Sequence, residues 1–363
     1  MKKLSFAVLG GGAGGLAMAA DMTLAGFDVG LYELPEFAGN VQAIRQRGGI
    51  DVTGAVHGHA RLARASCDPA EIIPQAEVIM VAVPAFGHEA FVRQCLPYLQ
   101  NGQILVFNTG YYAALRFREL LRSAGKSNVL LAETMILPYT GRVIGPAQVH
   151  VDGKKKHLAL AALPATRTGE VLDRLIPAYP GLKAAGSVLE TSLNNLNLMG
   201  HVPITLLNRA LVERTSPFVI SVRDAVSPSV GFLMESADQE RLALGKALGV
   251  KVMSILEMLD LWGYSSGCKS VYEAFQTSVQ FSTFGYEYIN GSNQYLAEDL
   301  SFGLVPTASL ADLVGVRMPT IRAMVEIFGA IDRKDYWRVG ITAEKLGLRG
   351  RSLSEIVRLV LGD

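Results

Sequence analysis

Two places in the chain carry side chains or backbone suited to catalysis, a glycine cluster near its start and a polar pair past its middle. Gly10-Gly11-Gly12-Ala13-Gly14-Gly15 follows the apolar run Leu4-Ser5-Phe6-Ala7-Val8-Leu9 without a gap. A glycine turn between a strand and a helix is what the pyrophosphate of a dinucleotide needs. Gly10 permits the tight turn, Gly12 lets backbone approach the phosphates, and Gly15 lets the helix pack close to the strand. Ala13 and Gly14 lie at the start of that helix, whose dipole favours negative charge. A second apolar run, Val29-Gly30-Leu31-Tyr32, ends on Glu33. A carboxylate there can accept from both ribose hydroxyls and would repel a 2′-phosphate. The expected cofactor is NAD, with NADP kept open because Arg45 or Arg47 could neutralise such a phosphate.

Ligands of open α/β sheets bind beyond the carboxyl ends of the strands. Val83-Pro84-Ala85 and Asn108-Thr109-Gly110 are loops of that kind. Val83 and Pro84 are candidate contacts for the cofactor, and the Asn108 to Gly110 backbone could approach a nicotinamide. Each loop reads equally as an ordinary strand-to-helix turn.

Hydride transfer also needs a proton donor or acceptor near the reacting carbon and a cation for a substrate carboxylate. Of the six histidines, His57 and His59 fall in an apparent hairpin, and His150 and His157 near a turn, where surface positions are expected. His88 follows the Val83-Pro84 loop and could lie near the cofactor. His201 stands one helical turn after Asn197, so both project from one helical face. Leu196, Leu198 and Met199 flank them, and a polar pair on an apolar stripe is costly unless satisfied. On the residues alone, His201 reads either as a hydrogen-bonded core histidine or as an acid/base.

The elements that must position these groups follow from periodicity. Apolar strand patterns at 4–9, 29–32, 78–83, 104–107 and 129–132 alternate with helical patterns at 14–25, 37–46, 89–99 and 113–124. That alternation implies parallel strands buried on both faces, hence a doubly wound sheet. Residues 50–64, with Gly54 and Gly58 inside, read as a β-hairpin insertion, and 143–151 and 157–162 as strands extending the sheet. From Leu189 onward long apolar-periodic stretches dominate, at 190–212, 236–264, 268–278 and 307–329. The expected fold is α/β, an N-terminal doubly wound Rossmann domain over 1–185 followed by a mainly α-helical second domain over 186–363.

Bulk properties exclude other classes. At 363 residues two domains are the default. A hydrophobic fraction of 50% with 18% charged residues suits a packed globular protein. The net charge of +1 offers no general attraction to nucleic acid or to an anionic membrane. Lys154-Lys155-Lys156 reads as a solvated turn. The three cysteines, Cys67, Cys95 and Cys268, make neither a disulfide framework nor a metal-ligand pattern, which fits a reducing cytoplasm. Lys2-Lys3, the apolar stretch and Ala17-Met18-Ala19 mimic a secretory signal, but the glycines spoil its helix and its removal would delete a strand of the fold. No run of about 18 apolar residues suggests a membrane span.

Several segments of the chain, taken together, resemble the opine dehydrogenases, especially the carboxyethyl-norvaline dehydrogenase type. They include Thr191-Ser192-Leu193-Asn194-Asn195-Leu196-Asn197 leading into His201-Val202-Pro203, Ser216-Pro217-Phe218, Ser227-Pro228-Ser229-Val230 and Tyr272-Glu273-Ala274. Glu298-Asp299 followed by Gly303-Leu304-Val305-Pro306, and the stretch from Glu133-Thr134 to Arg142, fit as well. The likeness runs through essentially the whole chain, and the second-domain motifs are more specific than the glycine loop. It implies an NAD(P)H-dependent enzyme that joins the amine of an amino acid to a 2-oxo acid such as pyruvate and reduces the imine. It implies that His201 is the general acid/base, that Asp299 orients it, and that Asn197 holds a substrate polar group. Where the family pattern places an arginine shortly before this aspartate, Gln294 stands here, which keeps hydrogen bonding but loses the charge and the fork. Arg142, expected on a strand-end loop, is the candidate replacement for the carboxylate grip. A homodimer is one open expectation for the assembly.

Two other readings compete. A related two-domain reductase of the ketopantoate reductase or glycerol-3-phosphate dehydrogenase kind would employ a catalytic lysine. Lys269 is the one second-domain lysine close to a motif, and its context does not match. A nucleotide-binding sensor without turnover would account for Gln294 but not for the full set of Asn197, His201 and Asp299.

Overall fold

The computed structural model describes residues 4–213, 221–283 and 296–362. The chain divides into two compact units, Met1–Thr191 with Val360–Asp363, and Ser192–Leu359. The division thus falls a few residues beyond the expected 185/186, because Val188–Leu193 starts a helix while Thr191 is still bonded into the first unit.

In the first unit, β1 (Ser5–Leu9), β2 (Asp28–Tyr32) and β5 (Arg64–Ser66) lie side by side in parallel. The sheet grows from the other edge of β1 through β6 (Val78–Val81), β7 (Ile104–Phe107) and β8 (Leu130–Thr134), again parallel. Then β11 (Leu158–Leu163) adds antiparallel to β8, and β12 (Leu182–Ala184) closes the order β12-β11-β8-β7-β6-β1-β2-β5. The chain therefore reverses its direction of growth between β1 and β6, which opens a crevice where those two strands end, at Leu9 and Val81. Strands β1, β6, β7 and β8 are buried along their whole length, as unbroken apolar runs demand.

A second sheet lies beside this one. The 50–64 region folds as the hairpin of β3 (Ile50–Gly54) and β4 (Gly58–Ala60) before supplying β5. Residues 143–151 do not extend the large sheet as expected. They belong to β9 (Tyr139–Gly145) and β10 (Gln148–Lys154), which join the hairpin in the order β4-β3-β10-β9. The reason is visible in their side chains: β10 alternates buried Val149 and Val151 with more exposed neighbours, and Arg142 to Ile144 of β9 are exposed. A strand with one dry face, like β10, or with both faces exposed over 142–144, like β9, cannot enter a parallel sheet buried on both sides. The lysine cluster is also more tied down than a solvated turn. Lys154 ends β10 and pairs with Asp21 at 2.6 Å, and Lys155 donates to the Leu137 carbonyl at 3.1 Å.

Helix α1 (Ala13–Leu24) follows β1 directly, and α2 (Gly39–Arg47) follows β2 and ends on the left-handed Gly48. Helix α3 (Ala113–Ser123) connects β7 to β8.

The second unit is helical, and the long periodic stretches break where local chemistry stops a helix. The run 190–212 is interrupted around 194–196, where both asparagine side chains are used. Asn194 bridges the Lys251 carbonyl and the Met253 N–H, and Asn195 caps the Asn197 N–H that begins α4 (Asn197–Leu207). The run 236–264 becomes α5 (Pro228–Leu248), which starts on a Ser227 cap with proline in its first turn and stops at Gly249 (φ 66°). A capping box of Ser254 and Glu257 restarts the helix Ile255–Leu261. Arg241 of α5 is fully buried, paired with Asp238, and donates to the Leu193 carbonyl at 2.7 Å. With its charge and donors engaged, this arginine ties α5 to the segment before α4. Asp299–Leu304 is a π-helical turn that runs on into α6 (Val305–Leu313). Among the described residues no helix is long and apolar enough to cross a membrane, and no cluster of three potential metal ligands occurs.

Candidate active site

The cofactor half is built on the end of β1. Gly10 sits at φ 106° and donates from its N–H to the Tyr32 carbonyl at 2.9 Å, which ties the turn to the end of β2. A Cβ on Gly10 would fall 2.3 Å from Val83 Cγ1, so the loop after β6 presses directly on the glycine turn. A Cβ on Gly15 would fall 1.9 Å from the Gly10 carbonyl oxygen, a distance only glycine permits. Gly12 is the N-cap of α1 and has nothing within 4 Å of where a Cβ would stand. Its backbone faces open space, at a helix N-terminus with no acidic residue in the first turn. An open helix N-terminus of this kind suits phosphates, and the residues present fit a dinucleotide.

Glu33 is buried, with Oε2 accepting from the Gly11 N–H at 2.6 Å and Oε1 from the Leu34 N–H at 2.8 Å. Burial pushes its carboxyl above the usual carboxylate range, against the opposing pull of the two N–H groups. Each oxygen retains a lone pair for a ribose hydroxyl. Of the two arginines that left NADP open, Arg47 is paired with Asp51, whereas Arg45 donates to the Ala65 carbonyl at 2.8 Å and keeps 58% of its side chain exposed.

The loop residues divide between contact and support. Val83 adjoins Gly10, and its carbonyl accepts from His88 Nε2 at 3.2 Å. Pro84 follows, its carbonyl taking the Gly87 N–H at 2.8 Å. His88 is fully buried against Phe107, and burial, with Arg116 nearby, depresses its pKa to about 3. It is a neutral prop for the loop and not a proton donor to substrate. Asn108 is buried, donates from Nδ2 to the Val106 carbonyl at 3.1 Å and accepts from Thr134 Oγ1 at 3.2 Å. Its side chain thus ties the ends of neighbouring strands together. Gly110 is glycine because a Cβ there would meet Glu133 Cδ at 2.5 Å.

Two residues of this half escaped the sequence reading. Asn40 donates from Nδ2 to the Gly11 carbonyl at 2.8 Å and accepts the Ala147 N–H at 2.9 Å, bracing the glycine turn on the β9–β10 connection. Glu133 is fully buried, accepting from the Ala114 N–H at 3.2 Å and the Thr191 hydroxyl at 2.8 Å. A charged residue closing an apolar strand is the signal that could have found Glu133, as it found Glu33.

The candidate acid/base residues that the structure brings together lie within the helical unit. His201 Nδ1 is 2.8 Å from Asp299 Oδ2, across 98 residues of sequence. The carboxylate accepts, so Nδ1 carries the proton in this pair. Asp299 is buried to 1% side-chain exposure and His201 keeps 29%, so the pair has a dry end and a wet end. Asn197 is half-buried on the same face of α4.

Other expected groups fall elsewhere. Arg142 is not on a loop: it lies within β9, 54% exposed, its guanidinium 2.7 Å from Asp152 on the neighbouring strand. Its pairing with β10, His150 opposite Arg142, continues the strand through it, and its charge is answered there. Gln294 lies outside the described residues. Lys269 is exposed, just ahead of the helix Val271–Thr277.

Comparison with known proteins decides the family. Residues 184–331 match the family model of the NAD/NADP octopine/nopaline dehydrogenase alpha-helical domain, and residues 6–164 that of ketopantoate reductase PanE/ApbA. An opine dehydrogenase of Arthrobacter sp. (strain 1C) is 34% identical over 354 residues, 97% of each chain. The chain belongs to the opine dehydrogenase family. It is an NAD(P)-dependent oxidoreductase acting on CH–NH groups. The fold agrees: a solved octopine dehydrogenase with NADH and L-arginine superposes with a TM-score of 0.79 at 20% identity, covering 99% of this chain and 98% of that one. A solved yersinopine dehydrogenase with NADP+ bound gives 0.72 at 18%, with the same coverage. The ketopantoate reductase likeness of the first half reflects a shared Rossmann unit, as the helical half carries the opine dehydrogenase signature.

Proposed function

We propose that this opine dehydrogenase joins the amine of an amino acid to a small 2-oxo acid such as pyruvate and prefers NADH, with His201 as its acid/base. The observation that carries the reading is the 2.8 Å contact of His201 Nδ1 with the buried Asp299 carboxylate. Histidine is the side chain suited to moving a proton near neutral pH, and a fixed Nδ1 leaves Nε2 to do it. Nε2 takes a proton from the incoming ammonium, so that the amine attacks the 2-oxo carbon, and returns it to the hydroxyl that departs as water. The protonated imine then needs only a hydride, which NADH supplies when bound. Asp299 holds the ring in its working tautomer, and Asn197, on the same helix face, hydrogen-bonds a substrate polar group. Gln294 stays as a hydrogen-bonding contact for the substrate carboxylate, and Arg142, being committed to Asp152, is set aside from that role.

The preference for NADH rests on Glu33, whose carboxylate is fixed by two backbone N–H groups where a 2′-phosphate would have to lie. Gly10, Gly12, Ala13, Gly14 and Gly15 cradle the pyrophosphate, and Val83, Pro84, Asn108 and Gly110 line the strand ends toward the nicotinamide through backbone. A shallow cavity of about 430 Å³ beside Arg45 and Ser66 suits the adenosine end. Three unpaired thiols accord with work in a reducing cytoplasm.

The test is NADH oxidation with a panel of 2-oxo acids, each with and without amino acids. Turnover that requires both substrates and yields a secondary amine is expected. Equal turnover with the oxo acid alone would make this a 2-hydroxy-acid dehydrogenase instead, and tight NADH binding with no turnover on any pair would make it a sensor.

A further inference from the structure

We propose that Gly303 is a positioning residue for the His201–Asp299 pair, setting the distance across which that hydrogen bond is made. The inference rests on the reading of His201 and Asp299 as the acid/base pair. Leu198 and His201 stand one turn apart on one face of α4, and Asp299 and Gly303 one turn apart on the π-helical segment. The two faces meet twice. At one point His201 Nδ1 reaches Asp299 Oδ2 at 2.8 Å. At the other, a Cβ on Gly303 would fall 2.0 Å from Leu198 Cδ2 and 3.2 Å from its Cγ. Asp299 to Gly303 thus maps onto His201 to Leu198, so the segments run antiparallel and the glycine contact lies one turn from the hydrogen bond.

Carbon atoms rest about 3.5–4 Å apart, so a methyl at 303 needs an extra 1.5 Å or more that the structure does not contain. The π segment is also tied to the chain beyond it: the Ile341 N–H donates to the Ser301 carbonyl at 2.7 Å, a bond that any shift of the segment disturbs. Part of the displacement therefore falls on the face toward α4. A 2.8 Å bond stretched by an ångström is no longer a hydrogen bond. The π turn itself fits this role. Its wider backbone is uncommon, tends to mark functional sites, and here brings a buried carboxylate and a bare backbone to one face. The contact is with the tip of Leu198, a buried side chain whose own rearrangement competes with movement of the segment, and the variants below separate the two.

The experiment is steady-state NADH oxidation by the full chain with its amino acid and 2-oxo acid. Gly303→Ala is expected to lower kcat about tenfold or more, with the KM for NADH within about twofold. In a His201→Ala background the same substitution is expected to change kcat less than about twofold, because the bond it disturbs is already gone. Leu198→Val removes the methyl that clashes, so Gly303→Ala combined with it is expected to return kcat to within about threefold of Leu198→Val alone. A Gly303→Ala chain that does not fold by circular dichroism would make the glycine a requirement of the fold and overturn the positioning role. Wild-type kcat in Gly303→Ala, an equal loss in the His201→Ala background, or a double variant as poor as Gly303→Ala each overturn the proposal. A fully active His201→Ala would overturn the acid/base reading and this inference with it. An inactive His201→Ala beside a fully active Gly303→Ala sinks this inference alone.

Discussion

Glu33 and Asp299 are both buried carboxylates, and the two halves of the molecule handle them in opposite ways. In the nucleotide-binding unit Glu33 takes its partners from adjacent backbone, the N–H groups of Gly11 and Leu34. In the helical unit Asp299 takes a side chain 98 residues away. The first arrangement is local to one βαβ unit and follows from strand, turn and strand in succession. The second exists only once helices far apart in sequence have packed. A backbone-fixed carboxylate is a rigid acceptor suited to recognition, whereas one paired with histidine can follow a proton through a reaction.

That contrast can be broken or sharpened by substitution. The largest effect is expected from Gly15→Val, whose side chain would have to occupy the space of the Gly10 carbonyl. NADH binding measured by calorimetry should weaken by more than about a hundredfold, since a backbone clash in a packed turn has no small relaxation. Retained binding would mean that the turn is not the phosphate cradle. Next comes Glu33→Gln, which removes the charge and sets an amide N–H against a backbone donor. The preference for NADH over NADPH should narrow about tenfold, or ~1.4 kcal/mol, the scale of one charge-assisted contact. An unchanged ratio would move cofactor choice elsewhere.

A third effect concerns pH. His88 is neutral in the fold, with its pKa depressed from 6.5 to about 3, so the unfolded chain binds one proton more than the folded one between those values. Stability from this group is present above about pH 6.5 and is lost as pH falls toward about 3, at ~1.4 kcal/mol per pH unit. Thermal melts of His88→Gln should show a shallower acid limb than the wild type, and parallel limbs would contradict the assignment. The smallest effect is expected from Asn40→Ala, which frees the Gly11 carbonyl and the Ala147 N–H. The KM for NADH should rise about fivefold, ~1 kcal/mol in all, because these bonds brace the turn without touching the nucleotide, and kcat should be unchanged. A fall in kcat alone would show that Asn40 acts outside the nucleotide half.

How much was legible beforehand follows the same division. The glycine turn, Glu33 and the doubly wound core could be read because their residues are neighbours in sequence and their periods are simple. The small sheet was misread, since one-sided strands such as β9 and β10 look like sheet extensions until their partners are known. Arg142 was misplaced with it: on a strand rather than a loop, it faces Asp152. His201 with Asn197 was visible as an i, i+4 pair, but nothing in spacing alone linked it to Asp299, and only resemblance did. Asn40 and the Gly303–Leu198 contact were out of reach because each is defined by a tertiary neighbour, whereas Glu133 carried the same strand-end signal as Glu33. The helical breaks at Asn194-Asn195 and Gly249 were written in polar caps and a left-handed glycine, signals that long apolar runs had masked.

The central claim is that one half binds the nucleotide and the other moves the proton. Measuring the NADH dissociation constant and kcat of His201→Ala on one preparation tests it most directly. The account predicts a dissociation constant within about twofold of wild type and kcat lower by about a hundredfold or more. Wild-type kcat, or affinity lost in step with turnover, would contradict it.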